Sequence, residues 1–151
     1  MIDIKKLKEL QHKVAEQVIL DSKTDIGSVK KVAGFDVIFN AKKYMIWKEI
    51  IIEKKFHSDK EPMFFMPTLL AFREGPAIIR TFELFENKPD VLMIDGDGIL
   101  HPYGCGQACY VGVALKKNTI GISKKLLFGN LEGDKIYVKD KNLGFRMRTK
   151  D

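Results

Sequence analysis

Val91-Leu92-Met93-Ile94 is an unbroken apolar run that stops at Asp95-Gly96. So short a run, closed by a turn signal, predicts a strand buried on both faces, and such strands belong to parallel sheets covered by helices. The flanking segments supply the helices. Upstream, Ile78, Ile79, Phe82 and Phe85 share one helical face in a helix expected from Arg73 to before Pro89, with Pro76 in its first turn. Downstream, Ala108 to Leu115 reads as a helix and Asn118 to Ile122 as a short strand after a basic turn.

The rest of the chain extends the pattern. Ile4, Leu7, Leu10, Val14 and Val18 recur at helical spacing, so the first twenty residues predict an amphipathic helix, followed by a polar connection from Asp21 to Ser28. Lys31 to Phe39 is rich in Val, Phe and Ile and predicts a strand with one acid, Asp36, in its middle. Tyr44 to Phe56 predicts a further strand or hairpin partner, and Ile136 to Val138 with Gly144 to Met147 a terminal hairpin. With 151 residues, the chain is expected to form one domain over 1–151, of α/β class with a mixed sheet flanked by helices.

In this frame three acids stand out. Carboxylates in or beside apolar strands must be protonated, paired or bound to a cation. Asp36 and Asp95 are such residues, and the ends of strands are where α/β sheets gather their chemistry. Glu74 is expected at the start of the helix packed on that sheet, where its charge suits the helix dipole. If the three converge, their hard oxygens suit Mg²⁺ or Mn²⁺. If they do not, Asp36 serves an ion pair, Glu74 a helix end and Asp95 a turn before Gly96.

Charge and cysteine content narrow the partners. Lys and Arg total 26 against 20 for Asp and Glu, a net +6 that favours a polyanion. Two cysteines, Cys105 and Cys109, are too few for a disulfide framework and read as small buried residues four apart on a helix face. No apolar run approaches the roughly twenty residues needed to span a bilayer, and no signal-peptide core opens the chain. The expectation is a cytoplasmic protein with no membrane partner.

Several separated motifs occur in order: Val32-Ala33-Gly34-Phe35-Asp36-Val37, Met66-Pro67-Thr68-Leu69-Leu70-Ala71-Phe72-Arg73-Glu74-Gly75-Pro76-Ala77, Lys88-Pro89-Asp90-Val91-Leu92-Met93-Ile94-Asp95-Gly96-Asp97-Gly98-Ile99-Leu100-His101-Pro102, and Thr119-Ile120-Gly121-Ile122-Ser123-Lys124-Lys125. Together they closely resemble the endonuclease V family. The resemblance implies a ribonuclease H-like fold and Mg²⁺-dependent hydrolysis, with Mn²⁺ as substitute. The bond cut would be a phosphodiester on the 3′ side of deoxyinosine or inosine, in DNA or RNA. It also implies roles: Asp36, Glu74 and Asp95 as metal-binding carboxylates, His101 as the histidine following the second aspartate, and Lys124 as a lysine at the scissile strand. Phe65, Met66 and Pro67 resemble a wedge that separates strands at the lesion. Gly96, Leu70 and Leu127 would line the pocket for the extruded base. Without the resemblance, Phe65 and Met66 read as core, His101 as a loop histidine bound to backbone, and Lys124 as a solvated charge.

The chain departs from the family pattern at Thr68, where a Gly is usual, at Asp97 in place of a His, and at Tyr103-Gly104 in place of an Arg pair. Asp97 reads as a turn residue or an added ligand. Family members also continue past the position of Arg146 with a segment that supplies a further His or Asp. The resemblance therefore leaves three expectations: an inosine-directed nuclease, a nucleic-acid-binding module or subunit without cleavage, and a structure-selective nuclease. A homo-oligomer or a separate C-terminal partner chain would complete such a chain.

Overall fold

The computed structural model describes residues 3–20, 25–37, 55 and 65–148. The expected strand or hairpin at Tyr44–Phe56 lies outside them, apart from Lys55, which is assigned to neither helix nor strand. Among the described residues, three parallel strands form the central sheet in sequence order: β1 (Val32–Phe35), β2 (Val91–Asp95) and β3 (Asn118–Ile122). Parallel neighbours require crossovers, and helices supply them. Helix α2 (Leu70–Leu84) lies between β1 and β2 in the chain, and α3 (Gln107–Leu115) between β2 and β3. Helix α1 (Ile4–Ala15), capped by the Asp3 side chain at the Lys6 N–H, packs on α3. A separate antiparallel sheet follows, of β4 (Asn130–Glu132), β5 (Lys135–Val138) and β6 (Lys141–Phe145). The terminal hairpin is thus present, with a third strand added by Asn130–Glu132.

The core sits between the parallel sheet and the two crossover helices. Phe35, Leu92 and Ile94 from the strands meet Ile78 and Phe82 of α2 and Ala108 and Val111 of α3. A second cluster, Leu69 and Phe72 with Leu7, Met66 and Tyr110, joins α1 to the start of α2. Gly75 lets α2 and α3 close up, since a Cβ there would lie 2.7 Å from the Tyr110 ring.

Five local expectations are corrected. β2 is buried on one face, not both: Leu92 and Ile94 are fully buried while Met93 is 37% exposed, because both crossover helices pack on the side that Leu92 and Ile94 face. β1 ends at Phe35, so Asp36 follows the strand instead of interrupting it. α2 begins at Leu70, four residues earlier than Glu74, so Glu74 lies in the second turn, away from the helix end. Pro76 is consequently inside the helix, where its missing N–H leaves the Phe72 carbonyl without the usual partner four residues on. The first helix is also shorter than the twenty residues expected, ending at Ala15 with Glu16 as cap.

Candidate active site

The last paired residues of β1 and β2 are Phe35 and Ile94. The next residue on each strand's path is an acid: Asp36 follows the end of β1, and Asp95 is the last residue of β2, paired with Ile122, so both stand at the carboxyl ends of neighbouring parallel strands. Both are exposed. Glu74 comes from α2 and is only 8% exposed. Burial raises its carboxyl above the ordinary range, and the charges of Asp36 and Asp95 act in the same direction. The Gln107 amide and the Arg73 guanidinium oppose them. The three acids named from the sequence are therefore brought within electrostatic reach of one another. Among the described residues, no group of three or more His, Cys, Asp or Glu side chains is arranged to hold a metal ion directly. The chemistry of the donors fits a hard divalent cation: a partly desolvated carboxylate faces two further carboxylates, and positive charge between them would relieve burial and repulsion together.

The surrounding residues divide into those at the acids and those that hold the loops. Lys124, just past β3, places Nζ 4.0 Å from Asp95 Oδ2, with its side chain 91% exposed. Gly96 has φ +156° and donates its N–H to the Ile122 carbonyl at 2.8 Å. A Cβ at Gly96 would fall 2.8 Å from Gln107 Oε1, so the backbone there must stay bare. Asp97 accepts from Ser123 Oγ at 2.8 Å, which ties the loop after β2 to the end of β3. His101 is buried, and its Nδ1 accepts the Tyr103 N–H at 3.2 Å. Desolvation lowers its pKa, opposed by Asp97 and Thr68. In this arrangement His101 serves the loops.

The three wedge residues separate. Phe65 is 62% exposed, with the Arg73 guanidinium 5.8 Å from its ring centroid. Pro67 is also exposed in the turn before α2. Met66 turns inward onto Leu69 and Phe72. Leu70 is half-buried in the first turn of α2 and Leu127 is 45% exposed in the loop after β3. Burial pushes the Cys105 thiol up to about 12 and the Cys109 thiol up to about 11, so both stay protonated and unreactive.

Sequence reasoning missed Gln107 and Gln11. Gln107 opens α3 and is 3% exposed beside Glu74 and Gly96. Gln11 is fully buried on α1, in line with Leu7 and Val14. A polar residue on an apolar helical stripe was the signal available for Gln11. No comparable signal marks Gln107.

The family model described as Endonuclease V matches residues 12–151. Endonuclease V of Thermofilum pendens is 37% identical over 123 residues, covering 76% of this chain and 53% of that protein. Endonuclease V of Archaeoglobus fulgidus is 29% identical over 137 residues, covering 86% and 62%. The chain thus spans between half and two thirds of the length of these relatives. Among solved structures, Endonuclease V from Bacillus subtilis superposes with a TM-score of 0.79 at 25% identity, over 99% of this chain and 72% of that one. Ciona intestinalis Endonuclease V, in complex with a 24mer DNA containing an inosine followed by a ribo-adenosine, superposes with a TM-score of 0.67 at 23% identity, over 91% and 63%. The fold shared with these structures is ribonuclease H-like.

Proposed function

The chain belongs to the endonuclease V family, and from that premise we propose that it hydrolyses a phosphodiester bond 3′ to deoxyinosine or inosine in DNA or RNA. The observation that carries this reading is that Asp36, directly after β1, and Asp95, the last residue of β2, act electrostatically on the buried Glu74 of α2 beside the carboxyl end of the parallel sheet. Their carboxylates would hold Mg²⁺, with Mn²⁺ as substitute. When bound, such an ion activates water and neutralises charge on the phosphate. Glu74 is the ligand that gains most, because burial and two neighbouring acids disfavour its free anion. Lys124 approaches the scissile strand from the exposed rim and stabilises developing negative charge.

Phe65 projects from the turn before α2 and replaces stacking lost when a base leaves the duplex. The bare backbone at Gly96, with Leu70 and Leu127, receives that base. His101 contributes by holding the loop after β2. Among the described residues no helix is long and apolar enough to cross a membrane.

The test is to incubate the protein with labelled inosine-containing and matched adenosine-containing DNA and RNA, with Mg²⁺ or Mn²⁺. Cleavage of the inosine strands alone, abolished by Asp36→Ala, is the expected result. Equal cleavage of both would identify a structure-selective nuclease, and salt-sensitive binding without cleavage a nucleic-acid-binding module.

A further inference from the structure

We infer that Gln11, far from the carboxylates, is a positioning residue that sets the strand-separating turn carrying Phe65; the inference rests on the nuclease reading above. Gln11 occupies the place on α1 where helical spacing calls for an apolar side chain, between Leu7 and Val14, and it is fully buried. Its Nε2 donates to the Thr68 carbonyl at 3.0 Å and to the Cys105 carbonyl at 2.6 Å, so both of its hydrogens are used. Those carbonyls lie 57 and 94 residues away along the chain. One belongs to the turn before α2, the other to the loop between β2 and α3. A single amide therefore joins α1, the turn that presents Phe65, and the loop that leaves the Asp95 strand.

Two features show that this link holds a conformation that would not hold itself. Thr68 has φ +69°, a left-handed backbone that a β-branched residue resists. Its carbonyl accepts the Gln11 Nε2–H at 3.0 Å. Among the described residues, Gln11 Oε1 accepts no hydrogen bond, so the buried amide carries an uncompensated desolvation cost that Leu or Met would avoid. Its two donors are what it contributes in return. Without them Thr68 can relax towards negative φ, and the segment from Phe65 to Leu69 changes direction at the residue where the wedge turn enters α2. Phe65 would then no longer be aimed relative to Asp36, Glu74 and Asp95, although none of these is touched.

The consequence is selective. A misplaced wedge impairs opening of a duplex and leaves a substrate that is already single-stranded untouched. Gln11→Met removes both donors and keeps the length of the side chain. Its kcat on inosine in duplex DNA is expected to fall about tenfold or more, the scale of a misplaced positioning group. On single-stranded inosine DNA it should stay within about twofold, since no transition-state contact is lost. The fluorescence rise of 2-aminopurine placed beside inosine in a duplex should fall in parallel. Thr68→Gly, which accepts the left-handed backbone without a clamp, should restore duplex cleavage in the Gln11→Met background. Should Gln11→Met not fold, Gln11→Asn reaches only one carbonyl and should show the same duplex-selective loss. Equal losses on both substrates, or undiminished duplex cleavage by a folded variant, would overturn the inference alone. A wild type that neither cleaves these substrates nor brightens the probe would overturn the nuclease reading and the inference with it.

Discussion

Thr68 and His101 show how single residues hold the site's loops at a cost. Thr68 stays in the left-handed region against roughly 1–2 kcal/mol of steric opposition. Thr68→Gly removes that opposition but adds backbone entropy to the unfolded chain, so a net gain of about 0.5–1 kcal/mol is expected, read as a higher urea midpoint. His101 has a pKa lowered by burial, so the unfolded chain takes up its proton first as pH falls. Its neutral form is compatible with full stability above its ordinary pKa of about 6.5, and stability is lost as pH falls from there through the lower folded value. Urea midpoints measured from pH 7.5 downwards should drop over that window, and the drop should shrink in His101→Gln. The acids of the site were legible in the sequence because a carboxylate beside an apolar strand demands an explanation. Gln11 showed only as a polar residue on an apolar helical stripe, with partners on distant segments, and no local pattern marks Gln107.

At the scale of elements, β3 was read to the residue and β2 nearly so, since a four-residue apolar run ending in Asp-Gly leaves little freedom. The face on which β2 is buried was not readable, because Val91-Leu92-Met93-Ile94 offers no alternation. The start of α2 was misread for a different reason. Its cap is Leu69, which makes no side-chain cap hydrogen bond, so the usual Ser, Thr, Asp or Asn signal is missing. Closeness of α2 to α3 gives a prediction whose sign runs against helix propensity. Gly75→Ala should gain up to ~1 kcal/mol of propensity. The new methyl meets the Tyr110 ring at 2.7 Å, and overpacking of this kind costs about 1–3 kcal/mol. Net destabilisation is expected in thermal denaturation, and it should shrink when Tyr110 is also replaced by Leu.

Across the whole molecule, Asp36 and Asp95 stand at one end of the sheet, and their charges add to burial in raising the pKa of Glu74 on α2. Saturating Mn²⁺ or Mg²⁺ should therefore raise the melting temperature, by the equivalent of about 2.7 kcal/mol at a hundredfold excess over Kd. Asp95→Asn should blunt the shift, and an unshifted wild type would speak against a metal site. The strand order carries a further consequence. Lys31 and Asp90, at the start of the β1–β2 pairing, are 59 residues apart, whereas β2 and β3 are separated only by α3 and its short connections. Closing the longer loop costs more entropy before any contact repays it, by about 0.6 kcal/mol for each doubling of length. The β2–α3–β3 unit is therefore expected to form first and β1 to dock later, in which case Val111→Ala should slow refolding while Phe35→Leu chiefly speeds unfolding. The acid that follows β1 would then reach its two companions only in the final stage of folding, and a cation that needs all of them would arrive at a chain already built.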